Sequence, residues 1–181
     1  MWILLIVLVV LAVWGIAVYN QMVKRRFMVA EAFSGIDVQL KRRHELIPHL
    51  VEVTKGYMRH EQKILEEVTA LRAKSISTQG VNEKGSIESG ISQGLKSVFA
   101  VAENYPNLKA DGTFLKLHES LVEIEDQLQM ARRYYNGAVR DLNTIIQSFP
   151  ALLLAGLFGF EPEEFFEIEY VTERKTPEVT F

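Results

Sequence analysis

The N-terminal segment constrains the fold more than any other part of the chain. From Trp2 to Val18 every residue is apolar or glycine, and no charged side chain occurs before Lys24. A helix over residues 2–19 would be about 27 Å long at 1.5 Å per residue, close to the thickness of a bilayer's hydrocarbon core. Trp2 and Tyr19 stand at its two ends, where interfacial aromatic residues belong. Residues 1–23 are therefore predicted to form a transmembrane anchor.

A cleaved signal peptide and a buried core helix are the alternatives for this segment. A signal peptide has basic residues before its apolar core and small residues at a cleavage site, and this segment has neither. The basic residues Lys24, Arg25 and Arg26 follow the apolar run instead. Because Lys and Arg resist translocation, the positive-inside rule predicts a single-pass protein with its N-terminus outside and its domain in the cytoplasm.

The rest of the chain has helical periodicity. One seam with alternating spacings of three and four predicts a long first helix, bent near Pro48 and ended by the loop-forming residues 75–80. Its positions are Phe33, Ile36, Leu40, Arg43, Ile47, Leu50, Thr54, Tyr57, Glu61, Ile64, Val68 and Leu71. A second helix is predicted over residues 82–104, and a turn at 106–113 offers Asp111 or Thr113 as a helix cap.

The third helix has the most regular seam. It is predicted over residues 114–149 and is stopped by Pro150. A short apolar helix over residues 151–158 follows, and residues 161–181 form an acidic tail. The predicted fold class is all-α, with an N-terminal transmembrane helix followed by an antiparallel bundle of three long helices plus a short C-terminal helix. The bundle domain covers residues 24–160.

Connectivity and charge give this bundle a predicted orientation. Short loops make neighbouring helices antiparallel, so the third of three helices would end far from the bilayer. Residues 151–160 would then cap the core or contact another subunit. Residues 24–74 carry a net charge of +4 and residues 75–181 a net charge of −7. Anionic headgroups would attract this basic part, but most of its charges are interpreted as ordinary solvated helix faces. Lys24, Arg25 and Arg26 are the exception and are expected at the membrane interface with Trp2 and Tyr19.

No residues with the pattern of a catalytic, cofactor or metal site stand out. His44 and His49 are five apart, whereas a zinc-protease helix needs its histidines four apart. His60 and His118 are the other histidines, and no Glu-x-x-His pair of a di-iron bundle occurs. The acidic residues of the third helix are interpreted as a solvated face: Glu119, Glu123, Glu125 and Asp126. A net acidic domain also argues against nucleic acid as a partner.

Two features permit more than one interpretation. Arg43 and Glu61 interrupt the first seam, so either the register shifts and exposes both, or buried polar residues fix the register of the helices. Ser86, Gly90 and Gly94 form a stripe of small residues. The stripe indicates either close approach by another helix, within the bundle or between subunits, or a locally weak helix.

Several long motifs resemble the signature of the LemA family. They are residues 36–52 (IDVQLKRRHELIPHLVE), 100–110 (AVAENYPNLKA), 131–136 (ARRYYN), 149–150 (FP) and 159–160 (GF). Phe33 stands where the family more often has Trp. The resemblance implies a bacterial inner-membrane protein with one span, an outside N-terminus and a cytoplasmic antiparallel bundle. It also implies similarity to a protein of magnetosome membrane formation, and it supplies no catalytic residues.

The expected function is that of a membrane-anchored scaffold or interaction protein that self-associates and organises or shapes the membrane. Its expected partners are the lipid bilayer, further copies of itself and other membrane proteins, and the sequence identifies no small-molecule substrate. Phe33, Leu40 and Phe149 are expected to lie beyond the reach of intrachain packing. The alternative is a metal-binding or enzymatic bundle that uses the histidines and the carboxylate-rich helices.

Overall fold

The computed structural model describes residues 1–58 and 60–166, and all regular secondary structure in these residues is helical. This confirms the predicted all-α class. Residues 167–181 of the predicted acidic tail lie outside the described residues. The helices are α1 (Trp2–Lys55), α2 (Gln62–Ser77), α3 (Val81–Ala102), α4 (Pro106–Lys109), α5 (Gly112–Gln147) and α6 (Ala151–Phe158).

The apolar N-terminal run is the first part of α1, a helix of 54 residues that also contains Pro48. At 1.5 Å per residue α1 is about 80 Å long. It is long and apolar enough to cross a membrane, and none of its most apolar stretch is buried in the protein. Within the described residues, α5 and α6 would meet the same criterion only if they were taken together across a bend of 100°.

The predicted first bundle helix is wrong in one respect, because the structure divides it into α1 and α2. α1 ends at Lys55, and the carbonyl of Thr54 accepts hydrogen bonds from the backbone N–H groups of Tyr57 (3.0 Å) and Met58 (2.8 Å). Gly56 disfavours helix, and the turn buries Met58. The seam could not reveal the break because α2 resumes the same spacing of apolar residues.

The chain forms two compact units. One contains Lys41–Glu125 together with Phe166 of the described residues, and α2 and α3, like α3 and α5, are antiparallel. Side chains of α2 and α3 meet at Ser75 and Glu88, and those of α3 and α5 at Ser92 and Glu125. Its buried apolar core consists of Ile47, Leu50, Met58, Leu65, Val68, Ile87, Ile91, Leu95, Val98, Ala102, Leu108, Phe114 and Leu121.

The turn before α5 is capped as the sequence suggests. Asp111 Oδ1 accepts hydrogen bonds from the backbone N–H groups of Thr113 (2.8 Å) and Phe114 (3.0 Å). These bonds satisfy N–H groups that have no partner within the helix. They also hold the pKa of the Asp111 carboxyl below its usual range.

The other unit contains Met1–Leu40 and Asp126–Phe165. Its parts of α1 and α5 are antiparallel, because Arg25 pairs with Asp141 at 3.0 Å while the rings of Phe33 and Tyr135 lie 5.6 Å apart. The buried apolar side chains of this unit are Met22, Val29, Ala32, Ile36, Leu40, Leu128, Tyr135, Ala138, Val139, Leu142, Ile146, Ala151 and Ala155.

The predicted position of the short C-terminal helix is wrong. The ring of Tyr19 lies 4.9 Å from that of Phe158 and 5.8 Å from that of Phe160, with edge-on geometry in both contacts. α6 therefore lies beside the end of the apolar run of α1, and not at the opposite end of the bundle. The break after Lys55 adds one reversal of chain direction, so α5 runs back along α1.

Candidate functional site

A buried ion cluster lies in the unit of Lys41–Glu125. The side chain of Arg43 is only 1% exposed. Its Nη1 donates to Glu88 Oε2 at 3.2 Å, and its Nη2 donates to Ser92 Oγ at 2.8 Å and forms an ion pair with Glu125. One guanidinium on α1 thus connects two carboxylates on α3 and α5.

Glu88 is the most enclosed member of this cluster, with no exposed side-chain surface. Oε1 of Glu88 lies 2.7 Å from Nε2 of His44 and accepts a hydrogen bond from the Ser75 hydroxyl. Burial raises the pKa of the Glu88 carboxyl, but the bonds from His44 and Ser75 and the charge of Arg43 outweigh it. The pKa therefore lies below its ordinary value of 4.5, and the carboxylate stays ionised at neutral pH.

A second contact secures α1 beside the cluster. Pro48 has no N–H to donate to the carbonyl of His44, four residues before it. Arg72 on α2 donates from Nε to that oxygen at 2.6 Å. The backbone acceptor that the proline leaves without its helical partner is therefore satisfied by a neighbouring helix, as a buried polar group requires.

The structure decides between the two interpretations of Arg43 and Glu61. Arg43 is buried and bound to carboxylates, while Glu61 is half-buried and accepts hydrogen bonds from the Tyr105 hydroxyl at 2.7 and 2.8 Å. Hydrogen bonding to Glu61, with burial, raises the pKa of Tyr105. A buried ion pair fixes which helix faces meet, and its loss on one side is costly.

The interpretation of Glu125 as part of a solvated face is wrong. Glu119, Glu123 and Asp126 are exposed, but the side chain of Glu125 is 23% exposed and bound to Arg43 and Ser92. Glu125 lies four residues after Leu121, so it borders the buried face of α5. A buried arginine in the first seam was the one signal that called for a carboxylate on a neighbouring helix.

The four histidines lie in different places and do not form a common site in the described residues. His118 packs against Phe99 with ring centroids 4.3 Å apart, His44 belongs to the ion cluster, and His49 and His60 are exposed. Across residues 1–58 and 60–166, no group of three or more His, Asp or Glu side chains has the arrangement of a metal site.

The small residues of α3 lie against α2. A Cβ added to Gly94 would be 2.5 Å from Cγ2 of Val68, and one added to Gly90 would be 3.2 Å from Cδ1 of Leu71. A methyl group at Gly94 would overlap a neighbour, so this close approach of the two helices requires glycine there. Ser86 is exposed.

The predicted interface residues all lie in the unit of Met1–Leu40 and Asp126–Phe165. Trp2 is exposed, as are Lys24 and Arg26, whereas Arg25 is half-buried and paired with Asp141. A polar cleft of about 160 Å³ lies beside Arg26. It is lined by Arg26, Leu142, Gly159, Phe160, Glu161, Pro162 and Glu163.

These features define a class: an all-helical protein whose first helix is long and apolar enough to anchor it in a membrane, with an ion cluster inside its bundle. The family model described as the LemA family matches residues 32–181, and the chain belongs to that family.

Curated relatives are similar along about three quarters of the chain. Magnetosome protein MamQ 2 of Paramagnetospirillum magneticum is 25% identical over 160 residues, which cover 74% of this chain and 59% of the relative. Magnetosome protein MamQ of Magnetospirillum gryphiswaldense is 23% identical, covering 74% and 58%. Protein LemA of Metamycoplasma hominis is 27% identical over 135 residues, covering 72% and 60%. The chain thus spans about three fifths of the length of these relatives.

Proposed function

We propose that this chain is a membrane-anchored, non-enzymatic scaffold that self-associates and organises the bilayer around it. The observation that carries the proposal is the continuity of α1. One helix of 54 residues contains both the exposed apolar run and residues buried in the same folded unit, including Met22 and Ile36. Similarity to proteins named for the magnetosome supports a role in membrane organisation.

The proposed topology follows from the charges that flank the apolar run. By the positive-inside rule, Lys24, Arg25 and Arg26 support an orientation with the folded part in the cytoplasm and the N-terminus outside the bacterial inner membrane. A cysteine at the exposed Lys41 tests this, since the chain has no cysteine of its own. A membrane-impermeant maleimide should label it only after the cells are opened. Labelling in intact cells would show the opposite orientation, with Lys41 outside the membrane.

Self-association needs surface that the chain itself leaves uncovered. Leu40 is buried and Phe33 packs against Tyr135, so neither is available, but Phe149 is 82% exposed. Large apolar side chains are also exposed along α5, at Leu115, Val122, Met130 and Tyr134. Spacings of seven and four place the members of each successive pair, Leu115 with Val122 and Met130 with Tyr134, on a common face. Exposed apolar patches commonly mark protein contacts.

The mass of the full-length protein in mild detergent tests self-association. Light scattering should give a multiple of the chain mass of 20.7 kDa. Val122→Lys should reduce that multiple, while Glu123→Gln, at the exposed next residue, should not. A strictly monomeric protein in several detergents would remove self-association from the proposal and direct the search to a different membrane partner.

The metal-binding or enzymatic alternative has a direct test. Elemental analysis of the purified full-length protein should find no stoichiometric transition metal or zinc. A bound metal that is lost in a His44→Ala variant, but retained in His49→Ala, would overturn the non-enzymatic proposal.

A further inference from the structure

The short helix α6 exposes apolar surface that its unit does not cover. All eight of its residues are apolar or glycine. Ala151 and Ala155 are buried, whereas Leu153 is 67% exposed and Leu157 76% exposed. Phe149, Leu152 and Phe158 add further exposed apolar surface. Within the described residues, such dense exposure of large apolar side chains otherwise occurs in the N-terminal run of α1.

The position of α6 connects this surface with that run. Tyr19, at the end of the run, contacts Phe158 and Phe160. α6 is bent by 100° from α5, and α5 is antiparallel to α1 in this unit. α6 therefore lies across the direction of α1, at the level where α1 changes from apolar to basic. A helix of about 12 Å cannot cross a hydrocarbon core of about 30 Å.

We infer that α6 is an interfacial helix that lies in the plane of the bilayer surface and inserts Phe149, Leu153, Leu157 and Phe158 at the boundary of the acyl chains. The inference rests on the proposed function in one respect, namely that α1 is anchored in a membrane. Apolar side chains that are exposed at this level can bury at the boundary between headgroups and acyl chains, as the apolar face of an interfacial helix does. Tyr19 sits at the same level, where aromatic residues with a polar tip are favoured.

The charged residues around α6 fit a membrane with anionic headgroups. Lys24 and Arg26 follow Tyr19 by about one and two helical turns and are exposed on the headgroup side. Clusters of basic residues just beyond a span are attracted to anionic lipids. Arg25 pairs with Asp141, so it holds α5 beside this part of α1.

The acidic residues Glu163 and Glu164, which follow α6, are directed away from the proposed lipid surface. Gly159 ends α6 in the left-handed conformation, with φ of 69°, which a residue with a side chain would adopt only with strain. The chain then returns along α5. The Asn143 side chain exchanges two hydrogen bonds of 2.9 Å with the backbone of Glu163, and the Tyr135 hydroxyl donates to the carbonyl of Glu164 at 2.8 Å.

The path of the chain back along α5 explains why Glu163 and Glu164 can follow an interfacial helix closely without lying at the lipid surface. Asn143 and Tyr135 lie progressively farther along α5 from α6, so Glu163 and Glu164 move away from the level of α6. Burial, with the charges of Glu163 and Glu164, raises the pKa of Tyr135 to about 12. The phenol therefore remains protonated and able to donate at physiological pH.

Site-directed spin labelling of the full-length protein tests the inference. Single cysteines replace Leu153 and Leu157 on α6, and the protein is reconstituted in vesicles of phosphatidylcholine and phosphatidylglycerol. Collision with oxygen, which concentrates in the acyl region, is compared with collision with a water-soluble nickel chelate. Leu8→Cys and Lys41→Cys, both on α1, are the reference positions; Leu8 in the apolar run is 62% exposed, and Lys41 is an exposed charged residue.

Labels at 153 and 157 should favour oxygen, as the label at 8 does, while the label at 41 should favour nickel. Nickel-favouring labels at 153 and 157 beside an oxygen-favouring label at 8 would overturn the interfacial helix and leave the anchor intact. A nickel-favouring label at 8 would overturn the anchor itself. Labels at 153 and 157 shielded from both reagents would show that a second protein copy, and not lipid, covers α6.

Discussion

Arg72 donates a hydrogen bond from Nε to the backbone carbonyl oxygen of His44 over 2.6 Å. Pro48 is the reason this acceptor needs a partner from another helix, since the ring nitrogen has no proton to give it. Within the unit of Lys41–Glu125, a side chain of α2 thus completes the backbone hydrogen bonding of α1.

Arg72→Met should lower the free energy of unfolding by about 1–3 kcal/mol, because it leaves a backbone acceptor unsatisfied. In a Pro48→Ala background the same substitution should cost less, since the alanine would supply the missing backbone N–H. Denaturant unfolding of the two single variants and the double variant, followed by circular dichroism, gives the coupling energy. Equal costs of Arg72→Met in both backgrounds would contradict this account of the contact.

Loss of the Arg43 guanidinium at the centre of the ion cluster should lower the free energy of unfolding more than the loss of Arg72. Arg43→Met leaves the buried Glu88 carboxylate without its cation, and breaking a buried pair on one side costs about 3–5 kcal/mol. Lys41→Met, at an exposed neighbouring position of α1, should change stability by no more than about 0.5 kcal/mol. Similar melting temperatures for the two variants would show that the cluster does not stabilise the fold.

Removing the charge of a carboxylate on α5 should lower stability only where that carboxylate has a buried partner. Glu125→Gln removes the charge that pairs with Arg43 and should destabilise by about 1–3 kcal/mol. Glu123→Gln, two residues away and exposed, should be within about 0.5 kcal/mol of the unsubstituted protein. If thermal unfolding by circular dichroism ranked the two variants in the opposite order, the assignment of Glu125 to the cluster would be wrong.

The free energy of unfolding should depend on pH through the ionisation of Glu88. Its pKa in the folded protein lies below 4.5, so in acid the unfolded chain takes up a proton at this carboxyl before the folded chain does. The stabilisation is complete above pH 4.5 and is lost as pH falls through the folded pKa. Glu88→Gln should be less stable at neutral pH and should lose less stability on acidification. Parallel melting curves against pH for the two proteins would contradict this linkage.

Replacement by alanine should destabilise the protein at one glycine and stabilise it at another. Gly94→Ala places a methyl group against Val68 Cγ2 and should destabilise by about 1–3 kcal/mol. Gly137→Ala meets nothing within 4 Å and should stabilise by up to about 1 kcal/mol through helix propensity. In a Val68→Ala background the cost of Gly94→Ala should shrink. A neutral Gly94→Ala would mean that α2 and α3 separate easily.

The sequence predicts those features that depend on local patterns. The apolar run, the helix at 82–104, the stop at Pro150 and the short helix after it all follow from composition, periodicity and proline chemistry. The structure ends α3 at Ala102 and α5 at Gln147, each two residues before the predicted end. Local rules place a helix well but define its last turn poorly.

The remaining features depend on contacts between distant residues. The end of α1 at Lys55 was missed because apolar spacing continues into α2, and the missed reversal then placed α6 at the wrong end. Glu125 was assigned to solvent because its partner Arg43 lies 82 positions away in the chain. No periodicity in α5 alone distinguishes a carboxylate that meets an arginine from one that meets water.

The division into units has a consequence for the order in which the protein matures on the ribosome. Residues 41–125 are contiguous, so the ion cluster and the core around Ile91 can form as soon as that stretch has emerged. Tyr19 must wait for Phe158, which is synthesised much later. Contacts between such distant residues form slowly because a long loop must close first. During translation Arg25 therefore lacks its partner Asp141 until 116 further residues have been made.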